Sequence, residues 1–382
     1  MDAYITDLAV FLPNDPIDND TMEKVLGMVR QVPSRTRAII LRKNRIRHRY
    51  YAIDPATGRV THSNAKMTAE AIRALNPYPG FSPADIEFLS CGTSSPDQLF
   101  PAHGLMVQGE LAASPCEVAT ASGVCLSGIS ALKFAAVNVA LRQARNAVAT
   151  GSELASTFMR SEMFLSASPG TPPAPGDPAL PPFNADFLRW MLSDGAGAAF
   201  VENAPRPDRA ALRIDWIEQV SYANELKPCM YLGAVKNEDG GIRGWREFGS
   251  IEEAVSRNAF LVQQDVTLLN REIITIAVNR ALTRVIAKRG IAASDVDWFL
   301  PHYSSEYFRE PLHKRMGKIG FSIPMDRWFT NLATKGNTGS ASIYIMMEEL
   351  FHSGRLRRGE RLLCMIPESS RVSIAYMLLT VV

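Results

Sequence analysis

The sequence predicts an α/β protein built from two duplicated halves. Three observations carry this: a matched pair of strand-like stretches, a second matched pair at nearly the same offset, and steady alternation of strand and helix patterns. In the first pair, Asp85-Ile86-Glu87-Phe88-Leu89-Ser90-Cys91-Gly92-Thr93-Ser94-Ser95 matches Asp295-Val296-Asp297-Trp298-Phe299-Leu300-Pro301-His302-Tyr303-Ser304-Ser305 without a gap. Both open on Asp, run through an apolar stretch and close on Ser-Ser. In the second pair each member is a Gly-containing turn, a long helix and a short apolar strand. These are Gly123 to Ala136 with Ala147 to Glu153, and Gly336 to Leu350 with Leu362 to Ser369. Alternating strands and helices argue for largely parallel sheets covered by helices. Sites in such sheets collect where strands end and helices begin. The halves are placed at residues 1–205 and 206–382.

Composition narrows the function classes. The 382 residues are 46% hydrophobic and 21% charged, ordinary values for a globular chain. A net charge of +2 makes no case for nucleic-acid binding. No apolar run reaches the roughly 18 residues of a membrane span, and Met1-Asp2-Ala3-Tyr4 lacks a basic and apolar leader. The five cysteines, at 91, 116, 125, 229 and 364, follow neither a disulfide nor a metal-ligand spacing, and the six histidines do not cluster. A soluble cytoplasmic protein without a metal or resident cofactor is the expectation.

Along the first half, Cys125 stands out. It follows Ala119-Thr120-Ala121-Ser122-Gly123-Val124, whose small residues permit a sharp turn, and it precedes the apolar run Ile129 to Val137, which reads as a buried helix. The positive end of a helix dipole favours thiolate, and so a nucleophile. A buried, inert cysteine is the plain alternative. Downstream, seven prolines between Ser166 and Phe183 rule out a core strand or helix. That stretch is expected as a surface excursion, either a lid or a flexible insertion. The second half supplies two partners. Pro301-His302-Tyr303 sets a histidine directly after a strand, and Gly336-Asn337-Thr338-Gly339-Ser340-Ala341-Ser342 sets an asparagine on a small-residue turn that opens a helix. Taken alone, the histidine could be structural and the asparagine a cap.

Together these motifs resemble the β-ketoacyl-[acyl-carrier-protein] synthase III family of the thiolase superfamily. The resemblance also takes in Ile46-Arg47-His48-Arg49, Phe100-Pro101 and Ser193-Asp194-Gly195-Ala196-Gly197-Ala198-Ala199. It implies a five-layered αβαβα fold of two pseudo-equivalent halves and a homodimer, with Phe100 reaching across the dimer to close the partner's acyl tunnel. It also implies that Cys125 is the acylated nucleophile, that His302 and Asn337 act on the extender unit, and that backbone N–H groups of Cys125 and Ser370 form an oxyanion hole. The expected reaction is ping-pong: an acyl thioester loads Cys125, then a malonyl- or β-ketoacyl-type thioester on acyl carrier protein condenses with loss of carbon dioxide. Coenzyme A or carrier-protein thioesters are substrates, and no cofactor is required.

Departures from the family point to a specialised member rather than the housekeeping initiator of fatty acid biosynthesis. Pro367-Glu368-Ser369-Ser370-Arg371 stands where a glycine loop is usual. Leu126 follows the cysteine where a small residue is usual. Ser305 replaces an asparagine, and Ile39 and Lys43 stand where a tryptophan and an arginine meet coenzyme A. Two basic runs, Arg35 to Arg49 and Arg355 to Arg361, suit an acidic carrier protein or simply a solvated face. Three alternatives remain open. The enzyme could condense and cyclise two fatty-acid-derived thioesters to a dialkylresorcinol or cyclohexanedione precursor. It could pass the acyl group to an alcohol or amine. Or the chain could be a non-catalytic partner subunit.

Overall fold

A computed structural model describes residues 2–164 and 183–382. The Pro-rich excursion expected at 166–183 therefore lies, up to residue 182, outside the described residues. Nine strands form the central sheet system: β1 (Tyr4–Phe11), β2 (Phe88–Thr93), β3 (Glu117–Ser122), β4 (Asn146–Glu153), β5 (Gly195–Glu202), β6 (Leu212–Ser221), β7 (Trp298–Pro301), β8 (Arg361–Glu368) and β9 (Ser373–Val381). Their order is β7-β8-β9-β6-β1-β5-β4-β2-β3. The order is a mirror about the β1–β6 seam, which is only two residue pairs long, Tyr4 with Arg213 and Ile5 with Leu212.

The halves correspond strand for strand. β4, β2 and β3 run parallel, and β5 and β1 join them antiparallel. On the other side β7 and β8 are parallel, and β9 and β6 follow antiparallel. The counterpart of β3 shrinks to one parallel bridge between Phe299 and Trp328.

Two helices fill the space between the half-sheets: α1 (Leu126–Ala140) from the first half and α2 (Ser342–Phe351) from the second. α1 is apolar along the faces it packs between the half-sheets, while its Phe134 and Val137 remain exposed. Its Ile129, Leu132, Ala135 and Val139 pack with Ile343, Tyr344, Met347 and Leu350 of α2, with Ala147 and Ala149 of β4, and with Leu362, Cys364 and Ile366 of β8. Fully burying one such large aliphatic side chain is worth about 1.5–3 kcal/mol. Separate apolar clusters cover the outer faces. On one side Met67 and Ile72 pack against Leu89 and Phe200, and on the other Leu269 and Ile273 pack with Phe299, Met365 and Tyr376. Helix, sheet, helix, sheet and helix give the five layers of the expected αβαβα arrangement.

Close backbone approach ties this packing to the site. A Cβ at Gly92 in β2 would overlap the Ser127 carbonyl at the start of α1. Added carbons at Gly128 in α1 and Gly151 in β4 would both overlap the Ser340 carbonyl. Glycine at these places lets a turn of the second half settle directly on the first, and Tyr344 Oη donates to the Gly128 carbonyl at 2.8 Å to lock it there.

Candidate active site

Cys125 caps α1, just beyond the end of β3. His302 follows β7, with its backbone N–H donating to the Met365 carbonyl of β8 at 2.8 Å. Asn337 sits on the turn before α2. That turn is stitched to the first half by backbone bonds, Asn337 N–H to Met191 O at 3.0 Å and Ser193 N–H to Asn337 O at 2.9 Å. These three elements converge on one cavity of about 390 Å³, and Cys125, His302 and Asn337 all line it. All three are buried. A cavity of this size suits a small-molecule or acyl-chain ligand.

Much of the lining is apolar, with Phe158, Leu188, Leu192, Leu269, Ile273 and Phe308. The lining also carries hydroxyls, from Ser94, Ser95, Ser304 and Ser369. The Ser-Ser ends of the duplicated strands thus meet at one place. Short strands at Met230–Tyr231 and Gln263–Gln264 pair antiparallel and close another side. These wall residues were not singled out in the sequence, where that region carries no repeat partner and no motif.

Electrostatics at the sulfur differ from the simple helix-dipole expectation. Burial holds the Cys125 thiol well above its ordinary value, and the charges of Glu368 and Glu153 raise it further. The dipole contribution is set against desolvation and two carboxylates, and the thiol form dominates. His302 is neutral, because burial brings its imidazole down to about 4. A neutral ring offers one N–H donor and one acceptor nitrogen. The Asn337 Oδ1 accepts the Gly339 N–H at 3.1 Å, which leaves the amide nitrogen as the group that can donate into the cavity.

Glu153 is a buried carboxylate that motif reading does not single out, and Glu368, which stands where a glycine loop is usual, is buried as well. The signal was present: Ala147 to Glu153 and Leu362 to Glu368 are equivalent seven-residue stretches of the repeat, and each ends on glutamate. Both are pushed up by burial.

The other expected positions resolve as follows. The Ser370 N–H, expected as an oxyanion donor, instead donates to Glu368 Oε1 at 2.5 Å, so the side chain that replaced a glycine takes up the amide. Ser370 nevertheless lines the cavity. Phe100 stands 87% exposed, apart from the cavity lining. Ser305 is buried and its Oγ accepts the Tyr307 N–H at 3.3 Å. Ile39 is exposed, and Lys43 lies over the Tyr307 ring at 5.7 Å. The first basic run is not one face: Arg49 is fully buried, donating to Asn19 Oδ1 at 2.8 Å, and Arg37 pairs with Glu23 at 3.3 Å. In the second run Arg355 stacks over Trp298 at 4.4 Å.

Among the described residues no helix is long and apolar enough to cross a membrane, and no group of three or more His, Cys, Asp or Glu side chains is placed to hold a metal ion.

Comparison with known proteins agrees with this geometry. Residues 286–365 match the family described as 3-oxoacyl-[acyl-carrier-protein (ACP)] synthase III C terminal. The β-ketoacyl-[acyl-carrier-protein] synthase III of Roseobacter denitrificans is 24% identical over 366 residues, covering 94% of this chain and 93% of that protein. The solved structure of AbyA1, a tetronic acid condensing enzyme, superposes with a TM-score of 0.74 at 22% identity, covering 99% of each chain. A variant of OleA from Xanthomonas campestris gives a TM-score of 0.75 at 19% identity, covering 100% of this chain and 98% of that one. The structural likenesses carry the fold.

Proposed function

We propose that this chain is a condensing acyltransferase of the β-ketoacyl-[acyl-carrier-protein] synthase III kind, which it resembles over most of its length, and that it extends an acyl thioester in two steps. In the first, Cys125 sulfur attacks an acyl thioester on coenzyme A or a carrier protein, and the acyl group moves to the sulfur as the pantetheine thiol leaves. The thiol proton is passed through solvent to the departing sulfur. In the second, a malonyl-type thioester on acyl carrier protein loses carbon dioxide. The electron pair left behind forms an enolate, whose oxygen accepts hydrogen bonds from His302 and Asn337. The carbanion attacks the Cys125 thioester carbonyl, and collapse of that adduct returns the sulfur.

The observation that supports this reading is the shared cavity, to which the first half contributes a nucleophile and the second half two neutral donors. The apolar part of the lining suits an aliphatic acyl chain. The site is also marked as specialised, since Glu368 claims the amide expected to serve as an oxyanion donor. That feature favours the cyclising alternative as a second reading, in which a β-ketoacyl thioester replaces the malonyl unit and the product closes into a ring. Incubation with an acyl thioester and a malonyl- or β-ketoacyl-type thioester tests the proposal. With the malonyl-type thioester, one carbon dioxide released per new carbon–carbon bond is expected; with the β-ketoacyl thioester, whose carbanion forms by loss of the proton between its two carbonyls, that step releases none. A linear β-ketoacyl product supports the first reading and a ring the second. Acyl transfer to an alcohol or amine without carbon dioxide would overturn both.

The active unit is proposed to be a homodimer. β3 pairs on one side only, at the end of the sheet. Phe134, Val137 and Leu141, from α1 and the residue after it, together with Leu99 and Phe100, present large apolar surfaces to solvent. Sedimentation at about twice the 42.0 kDa chain mass is expected, and a monomer at micromolar concentration would refute it.

A further inference from the structure

Glu153 is the last residue of β4, is 3% exposed, and lines the cavity with Cys125 and Asn337. The two-step chemistry leaves it without a role, yet its contacts span both halves. Oε1 accepts from Ser94 Oγ at 2.5 Å and Ser95 Oγ at 2.6 Å, directly after β2. Oε2 accepts from the Ser340 N–H at 3.2 Å and Ser340 Oγ at 3.4 Å, on the turn that carries Asn337. The same turn holds Gly339 at φ 52°, in the left-handed region, and a Cβ there would overlap the Glu153 carboxylate. The Gly339 N–H in turn binds Asn337 Oδ1 at 3.1 Å. The chain of contacts thus runs from the end of β2, through one carboxylate, to the orientation of the Asn337 carboxamide.

We propose that Glu153 is a positioning residue for the condensing step: it clamps the Gly339–Ser340 turn and thereby aims the Asn337 amide at the enolate oxygen. This rests on the role proposed for Asn337. A carboxylate fits the place because every partner is a donor, and an ionised carboxyl only accepts. Glutamine keeps the size but sets an NH2 against one pair of donors. One side of the clamp is then left unpaired in a buried site.

The test separates the two half-reactions in the full-length enzyme. Acylation of Cys125 is followed by mass spectrometry, and carbon dioxide release is followed from pre-acylated enzyme, for Glu153→Gln and, independently, Ser340→Ala. Acylation is expected to stay within about threefold of the parent, while release falls by about 10²-fold for Glu153→Gln, the cost of misplacing a catalytic group by roughly 1 Å. Ser340→Ala should fall in the same direction by less. In an Asn337→Ala background Glu153→Gln should produce no further fall, because a residue that acts through another adds nothing once that other is gone. Equal losses in both half-reactions, or a full additional loss in the Asn337→Ala background, would overturn the clamp. Should Glu153→Gln fail to fold, Ser340→Ala and its double variant with Asn337→Ala decide the matter by the same criteria. If Asn337→Ala alone leaves release unchanged, the role of Asn337 falls and the clamp falls with it. If Asn337→Ala abolishes release but Glu153→Gln and Ser340→Ala do not touch it, the clamp alone is wrong.

Discussion

Cys125→Ala is expected to carry no acyl adduct after incubation with acyl thioesters, and to form no condensed product, whereas Cys116→Ala loads like the parent. The contrast follows from position. Cys125 lines the cavity at the start of a helix, while Cys116 is half-buried at the opposite, N-terminal end of β3, away from the cavity lining. Alanine removes the sulfur that takes the acyl group, so the loss should reach the limit of detection. Serine is no substitute, since its hydroxyl is a weak nucleophile at neutral pH and an acyl ester is a poorer donor than a thioester. An adduct that persists in Cys125→Ala would end the assignment. The pH dependence is part of the same prediction. With the thiol held well above its ordinary value, the thiolate is a minority at neutral pH. Alkylation of Cys125 by iodoacetamide should then climb about tenfold per pH unit with no plateau below pH 9. Glu368→Gln, which removes the larger of the two carboxylate contributions, should raise the rate at fixed pH. A plateau near pH 7 in the parent would mean that the helix dipole wins after all.

Much of this architecture was legible because a duplication writes itself twice. The stretch around Ser94 and Ser95 and the stretch around Ser304 and Ser305 name the same strand end in each half. The structure brings Ser94, Ser95 and Ser304 into one cavity. Cys125 and Asn337 were legible through small-residue turns, which are demanded where backbone must touch backbone. Gly128 and Gly151 lie against the Ser340 carbonyl for that reason. What stayed hidden depends on long-range packing. The protonation state of Cys125 is set first by burial and then by Glu368 and Glu153, 243 and 28 positions away in the chain, and all three influences arise only in the fold. The Ser370 amide seemed available by position, but its fate depends on whether the Glu368 side chain curls back. A run of arginines looks continuous in sequence, yet Arg49 alternates inward on a two-residue strand and is lost to the surface. The acyl-cavity wall around Met230 and Gln264 comes from short strands with no periodic signature, which only tertiary contact defines.

His302→Ala is expected to leave Cys125 acylation largely intact and to reduce carbon dioxide release about 10²- to 10³-fold, the usual cost of deleting one oxyanion-type donor. Acyl-enzyme should therefore accumulate in the variant when both substrates are present. The argument depends on the charge of the ring. A cationic imidazolium would need a carboxylate or solvent to sustain it, and burial instead brings His302 down to about 4. The ring is then neutral from about pH 5 upward and donates through one N–H, as the Asn337 amide does beside it. Two neutral donors suit an enolate because they stabilise the oxyanion without protonating it, which keeps electron density on the attacking carbon. Protonation occurs only as pH falls through about 4, so the condensing step should show no acid limb from this ring between pH 5.5 and 8. An acid limb near pH 6.5 that disappears in His302→Ala would contradict the neutral-donor role and assign the ring to proton transfer. Loss of acylation and release in equal measure would make His302 part of the loading step instead.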